Sequence, residues 1–139
     1  MRVLRSVVGV VILIYALAGA ALGVTMASLH LGVEETPPAW ASPAQADFLQ
    51  HTSWPLIILW LVAMALHFVV ALKLLRRVKT FLFWAGAFAA GFASWVWMRA
   101  GGYYEPAIPP SFLYADYLAL TVSLAFGICI WVLGRTHLD

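Results

Sequence analysis

The sequence predicts an all-α membrane protein, with four transmembrane helices joined by short loops and both termini on the cytoplasmic side. Three observations carry that expectation. Hydrophobic residues make up 64% of the 139 positions and charged residues only 10%, against roughly 45–50% and 25% in a soluble domain. A soluble protein of this size has too little interior to hide so much apolar surface. The apolar residues gather into four runs of about 20 residues, the length that crosses a hydrocarbon core roughly 30 Å thick. Basic residues then collect at alternate breaks.

The first run covers residues 6–31, the second 54–75, the third 81–98 and the fourth 112–134. Each is expected to be helical, because hydrocarbon offers no partner for unpaired backbone groups. The chain is read as one four-helix domain over residues 1–139. The breaks carry stop signals. Glu34-Glu35-Thr36-Pro37-Pro38 does not continue a helix in lipid, and Trp54-Pro55 suits the first turn of the second span. Tyr103-Tyr104-Glu105-Pro106 and Pro109-Pro110 form the last break, where Ser111 offers an N-cap for the fourth span.

Charge sets the direction. Arg2 and Arg5 precede the first span, Lys73, Arg76, Arg77 and Lys79 lie at the second break, and Arg135 follows the fourth span. Arg99 alone falls on the opposite side. The positive-inside rule therefore places both termini in the cytoplasm of a bacterial-type inner membrane. Five of the six acids, Glu34, Glu35, Asp47, Glu105 and Asp116, fall on the outer side. The first span is longer than a signal-peptide core, which favours a retained helix over a cleaved leader.

Composition also excludes classes. The lone Cys129 leaves no cysteine pair for a disulfide, a CxxC redox centre or a membrane thiol oxidoreductase within one chain. No phosphate loop, dinucleotide fingerprint or nucleic-acid motif is present, so the expected partners are the lipid bilayer and other integral membrane subunits, with no nucleic acid. In size the chain is similar to small multidrug exporters. Those depend on an acid within the first span, and this first span has none, so a small transporter acting as a dimer is a less favoured reading. The two helical hairpins share no motif, which leaves an inverted-repeat transporter unsupported.

Small residues mark where helices approach closely in lipid. Gly19 and Gly23 form a GxxxG in the first span, extended by Ala16 and Ala27. In the third span Ala85, Gly86, Ala89, Ala90 and Ala93 share one side, and Phe81, Trp84, Phe88, Phe92 and Trp95 share the other. The simpler expectation packs Gly86 and Ala90 against a neighbouring helix and turns Trp84, Phe88, Phe92 and Trp95 toward lipid. The sharper one turns those aromatics toward a partner subunit, a pigment or a quinone. Trp40, Trp54, Trp97, Tyr103, Tyr104, Tyr114 and Tyr117 read as an outer interfacial belt.

His67 is the ionisable side chain deepest in a span, roughly 18 Å from the outer boundary by helical rise. An intramembrane ionisable group is a functional candidate by default. Tyr15 is expected near the same depth, with Thr121 and Ser123 close by. A neutral His67 bonded to Tyr15, Ser123 or a carbonyl would pin the bundle; the alternatives are a haem ligand, a quinone contact or a proton relay. The sequence requires no cofactor, and Tyr15, His67 and Arg99 are the candidates for contacting a haem or quinone. His30 and His67 differ in depth by roughly 15 Å, too far for two faces of one haem iron. His30 and His51, near Glu34, Glu35 and Asp47, match no metal-ligand spacing, so loop solvation is the better account; no metal site is assigned. His137 belongs to the tail. Arg99 is expected to pair with Asp116 across the third and fourth spans. Residues 33–53, with no Lys or Arg, read either as a solvated connection or as a docking segment for a basic partner.

No nucleophile–base arrangement stands out beyond His67 with Ser123, so an enzyme is not the favoured reading and no catalytic residue is assigned. The leading expectation is a non-catalytic accessory subunit of a larger membrane complex, with respiratory or photosynthetic electron transport as natural examples. The alternative is a redox membrane anchor, contacting quinone or a haem shared with a partner beside His67 or Arg99.

Overall fold

A computed structural model of the protein describes residues 2–76, 79–100, 121–122, 124–125 and 127–132. Every regular element among them is a helix: α1 (Arg2–His30), α2 (Pro43–His51), α3 (Trp54–Leu75) and α4 (Phe81–Ala100). The described residues between 121 and 132 are helical too. Val3–His30 and Trp54–Leu75 are each long and apolar enough to cross a membrane, and Phe81–Trp97 is a shorter apolar helix. At 1.5 Å per residue that shorter stretch spans about 25 Å, a little under a full hydrocarbon core.

α1 buries Arg5, Gly9, Ile12, Ala16, Gly19, Gly23 and Met26. Steps of four and three residues in alternation put these on one stripe, the spacing of a coiled-coil seam. α3 answers with Ile57, Met64, His67, Ala71 and Leu74, half-buried Trp60 filling the remaining step. The two helices run antiparallel, as shown by the pairings of Gly23 with Leu61, Gly19 with Met64 and Gly9 with Leu75. Glycine is what allows the close approach. A Cβ on Gly19 would overlap Met64 Sδ, and one on Gly23 would lie 2.6 Å from Leu61 Cδ2. The bare backbone also admits a polar tie: Trp60 Nε1 donates to the Gly19 carbonyl at 2.8 Å. Gly19 and Gly23, expected in a helix contact, line this α1–α3 seam, and Gly9 extends it by a residue type the GxxxG pattern does not reach.

α1 ends by local chemistry, before the prolines. Gly32 takes φ +69°, Val33 N–H donates to Ser28 O at 2.9 Å and Gly32 N–H to Leu29 O at 3.2 Å. That pair of bonds around a left-handed glycine is a Schellman closure.

The connection that follows is not a plain loop. Ser42 and Gln45 form a reciprocal capping box with Pro43 in the first turn, and nine residues become α2. Leu49 of α2 packs with Met26 and Ile57 in a small core, bordered by Leu22, Phe48, Trp60 and Leu61. The segment thus folds back over the adjoining ends of α1 and α3, because its few apolar residues recur at helical spacing.

α3 lies between α1 and α4. A second core joins Val8 and Ile12 of α1, Val70, Ala71 and Leu74 of α3, Trp84 of α4 and Ile130. Thr80, which precedes α4, and Trp84, Ala87 and Ser94 of α4 turn inward, again at steps close to four and three. This differs from the face expected of the third span. Trp84, expected on the lipid or partner side, is only 9% exposed, while Gly86, Ala89 and Ala93 face outward and Ala85 and Ala90 are half-buried. The reason is a notch: Gly127 sits against the Trp84 ring, where any Cβ would overlap it. Burying an indole there gains more than burying alanines would. At the Arg5 end, Lys73 Nζ lies 4.3 Å from the Phe83 ring centroid, tying α3 to α4.

Candidate functional site

The register of α1 against α3 brings Tyr15 and His67 together midway along both helices. Their ring centroids are 5.2 Å apart and their planes 73° apart, an edge-to-face contact. His67 is 8% exposed and Tyr15 49% exposed, so the pair has one buried member and one at the surface of the helix pair. His67 Nδ1 lies 2.7 Å from the Ala63 carbonyl, one turn back on its own helix. A carbonyl only accepts, so Nδ1 carries the proton and the lone pair of the neutral ring sits on Nε2. The histidine is therefore anchored by its own helix rather than by Tyr15. Its arrangement, one nitrogen donating to a carbonyl and the other left basic, is also the one a ligand histidine adopts. Of the other expected neighbours, Thr121 is exposed and Ser123 lies outside the described residues.

The second feature is an aromatic ladder along α4. Phe81, Trp84, Phe88, Phe92 and Trp95 follow one another with centroid separations of 5.8, 5.4, 6.2 and 5.6 Å. Trp84–Phe88 and Phe88–Phe92 are stacked, at 24° and 12°. Steps of three and four residues set the spacing, as on any helix face. The ladder runs from the core at Trp84 to the surface at Phe81 and Phe92, both about two-fifths exposed. On the side of α4 opposite the buried stripe, Leu82, Gly86, Ala89 and Ala93 form a smooth outward strip. Ser94 is buried and satisfied within the helix, its hydroxyl donating to Ala90 O at 2.9 Å.

At the α2 end the polar groups are paired locally. His30 stacks edge-on against Trp54, centroids 4.9 Å apart. His51 Nδ1 lies 3.0 Å from Asp47 Oδ1 and 2.9 Å from the Asp47 carbonyl, on an exposed turn of α2. The two histidines have separate partners, and among the described residues no group of three His, Cys, Asp or Glu could hold a metal. Asp116 and His137 lie outside the described residues, and with Asp116 the expected pairing to Arg99 at the end of α4. Cys129 is a half-buried free thiol.

Sequence reasoning missed three contributors: Gly9, Gly127 and the Trp60 indole. The first two are isolated glycines with no motif around them, and Trp60 reads as one more apolar residue until Gly19 is placed beneath it.

Comparison with known proteins adds no relative: no family model matches, nor does any curated protein or solved structure.

Proposed function

We propose that the chain is a multi-pass protein of a bacterial-type inner membrane, with four transmembrane helices and cytoplasmic termini, and that it serves as a non-catalytic subunit of a larger membrane assembly, electron-transport complexes being the natural setting. The observation that supports the assembly role is the outward strip of α4. Gly86, Ala89 and Ala93 are exposed beside the aromatic ridge of Phe88 and Phe92. Small residues give lipid little to contact, but they let another helix approach closely, and a neighbouring ridge gives that helix a groove to enter.

The test is purification from the native membrane in gentle detergent, with co-purifying proteins identified and the optical spectrum recorded on the same sample. Recovery at fixed stoichiometry with partner subunits supports the reading. An Ala89→Leu, Ala93→Leu variant should lose those partners while keeping its own fold, since both positions are exposed. Recovery of the wild type alone, in a small colourless micelle, overturns the assembly role.

One observation favours a second reading, a redox anchor. His67 holds its Nδ1 proton on Ala63 O and so offers Nε2 to a quinol hydroxyl or to a haem iron completed by a partner's ligand. His67→Phe separates the two. An accessory subunit keeps its assembly and activity; a redox anchor keeps its assembly but loses activity and any reduced-minus-oxidised band.

A further inference from the structure

Tyr15 and His67 meet midway along α1 and α3, and each carries a polar atom the fold leaves unused. His67 Nδ1 donates to Ala63 O at 2.7 Å, the one hydrogen bond this side chain makes among the described residues. Its Nε2 is not one of the buried side-chain atoms that lack a partner, so it reaches the surface, although the residue as a whole is only 8% exposed. Tyr15 stands beside it, ring centroids 5.2 Å apart, and is 49% exposed. The Tyr15 hydroxyl makes no hydrogen bond among the described residues.

In hydrocarbon no water satisfies a free imidazole nitrogen or a phenol, and each unmet group costs free energy. With the proton on Nδ1, Nε2 only accepts, while the Tyr15 hydroxyl can donate. One ligand hydroxyl answers both, its hydrogen going to Nε2 and its oxygen accepting from Tyr15. A carbonyl answers only the phenol. The ligand must also dissolve in lipid. The half-exposed Tyr15 ring, with the bare methyl of exposed Ala18 one turn along α1, gives a flat aromatic molecule a surface to lie against.

We propose that Tyr15 and His67 bind a quinol in its reduced, hydroxyl-bearing form, with His67 Nε2 accepting the quinol hydrogen and Tyr15 donating to the same oxygen. The site rests on the membrane and redox-anchor readings, choosing quinol over haem, and is independent of the assembly role. The step is binding alone; no covalent bond forms or breaks.

The experiment uses the purified full chain in neutral detergent under nitrogen, titrated calorimetrically with decylubiquinol, with decylubiquinone and with the dimethyl ether of the quinol. Saturable binding of one quinol is expected, about fivefold tighter than the quinone or the ether, the factor one neutral hydrogen bond supplies. His67→Phe should weaken the quinol about fivefold and leave the quinone unchanged. Tyr15→Phe keeps the ring and should weaken both about fivefold. His51→Gln, on the exposed turn of α2, should change neither. Equal affinity for quinol and ether overturns the proposal, as does full quinol affinity in Tyr15→Phe. Farnesol competing as well as the quinol would overturn the quinol in favour of a lipid alcohol. A reduced-minus-oxidised haem band without quinol binding overturns the site and leaves the redox anchor standing. Quinol binding together with full activity in the His67→Phe assembly removes the redox anchor and supports the site, so the two failures are distinguishable.

Discussion

Replacing Gly19 by alanine adds one methyl group at the tightest point of the α1–α3 seam. Its Cβ would overlap Met64 Sδ and stand 3.1 Å from Met64 Cγ. Met64 is about 1% exposed, so its thioether has little room to swing aside, and pushing the helices apart would stretch the 2.8 Å bond from Trp60 Nε1 to Gly19 O. Overpacking of this kind costs about 1–3 kcal/mol, while exchanging a helical glycine for alanine returns up to about 1 kcal/mol. The net expectation is a loss of about 1–2 kcal/mol. Met64→Ala alone should cost about 2–5 kcal/mol by leaving a cavity. Combining the two places the new methyl in the space the thioether vacated, so the Gly19 change becomes favourable in that background. The cycle should close with a coupling of about 2 kcal/mol, read by reversible unfolding in mixed detergent micelles followed by circular dichroism. Gly91→Ala is the control, since a Cβ there meets nothing within 4 Å. Additive single effects, or a Gly19→Ala protein as stable as the Gly91→Ala one, would refute the glycine-seam argument.

Gly127→Ala should unseat the Trp84 indole, because its Cβ would overlap the six-membered ring; a red-shifted tryptophan emission and a loss of about 1–3 kcal/mol are expected. Trp84→Ala in the same pocket should cost about 3–5 kcal/mol by the same unfolding assay. Ser42→Ala removes the side-chain half of the α2 capping box and should lower local stability by about 1 kcal/mol. Hydrogen exchange across residues 43–51 should quicken while α3 keeps its protection. Trp60→Phe loses the bond to Gly19 O and should cost about 0.5–1.5 kcal/mol; no change would mean that the indole only fills space.

The long elements were legible because the apolar runs and their proline, glycine and charge breaks act locally. α3 is predicted at 54–75 and found at Trp54–Leu75, and α1 differs from residues 6–31 by a few residues at its start. The stop after α1 was read from Glu34 to Pro38, whereas the chain turns earlier through Gly32, whose left-handed conformation a single glycine in a sequence does not announce. α2 was hidden for a different reason. Its signature, Ser42-Pro43-x-Gln45, is a capping box inside an alanine- and proline-rich stretch that also reads as a linker, and what stabilises it is Leu49 meeting Met26 and Ile57 across the fold. Tyr15 and His67 were paired by depth alone, and helical rise sufficed to bring them to 5.2 Å. What rise could not supply was azimuth. The hydrogen bond of His67 goes to Ala63 on its own helix, and nothing in the order of residues separates that choice from Tyr15.

The inward choice of Trp84 explains why α4 is the face to watch. Along α1 the exposed positions include Val7, Val10, Val11, Ile14, Leu17 and Val24, branched side chains that fill space against acyl chains. Along α4 the exterior is split. Phe92 projects from one flank, and the strip opposite the core carries Gly86, Ala89 and Ala93. Small outward residues also occur on α1, at Ala18 and Ala21, and bulky ones on α4, at Leu82 and Val96; what α4 adds is a ridge of Phe88 and Phe92 beside its small residues. Van der Waals packing between helices strengthens as the backbones approach, and small residues permit that approach. The α1–α3 seam demonstrates the device inside this molecule, where Gly9, Gly19 and Gly23 bring two backbones together. The α4 strip repeats it on an outer face, and the assembly role proposed above is tested there by the Ala89→Leu, Ala93→Leu variant.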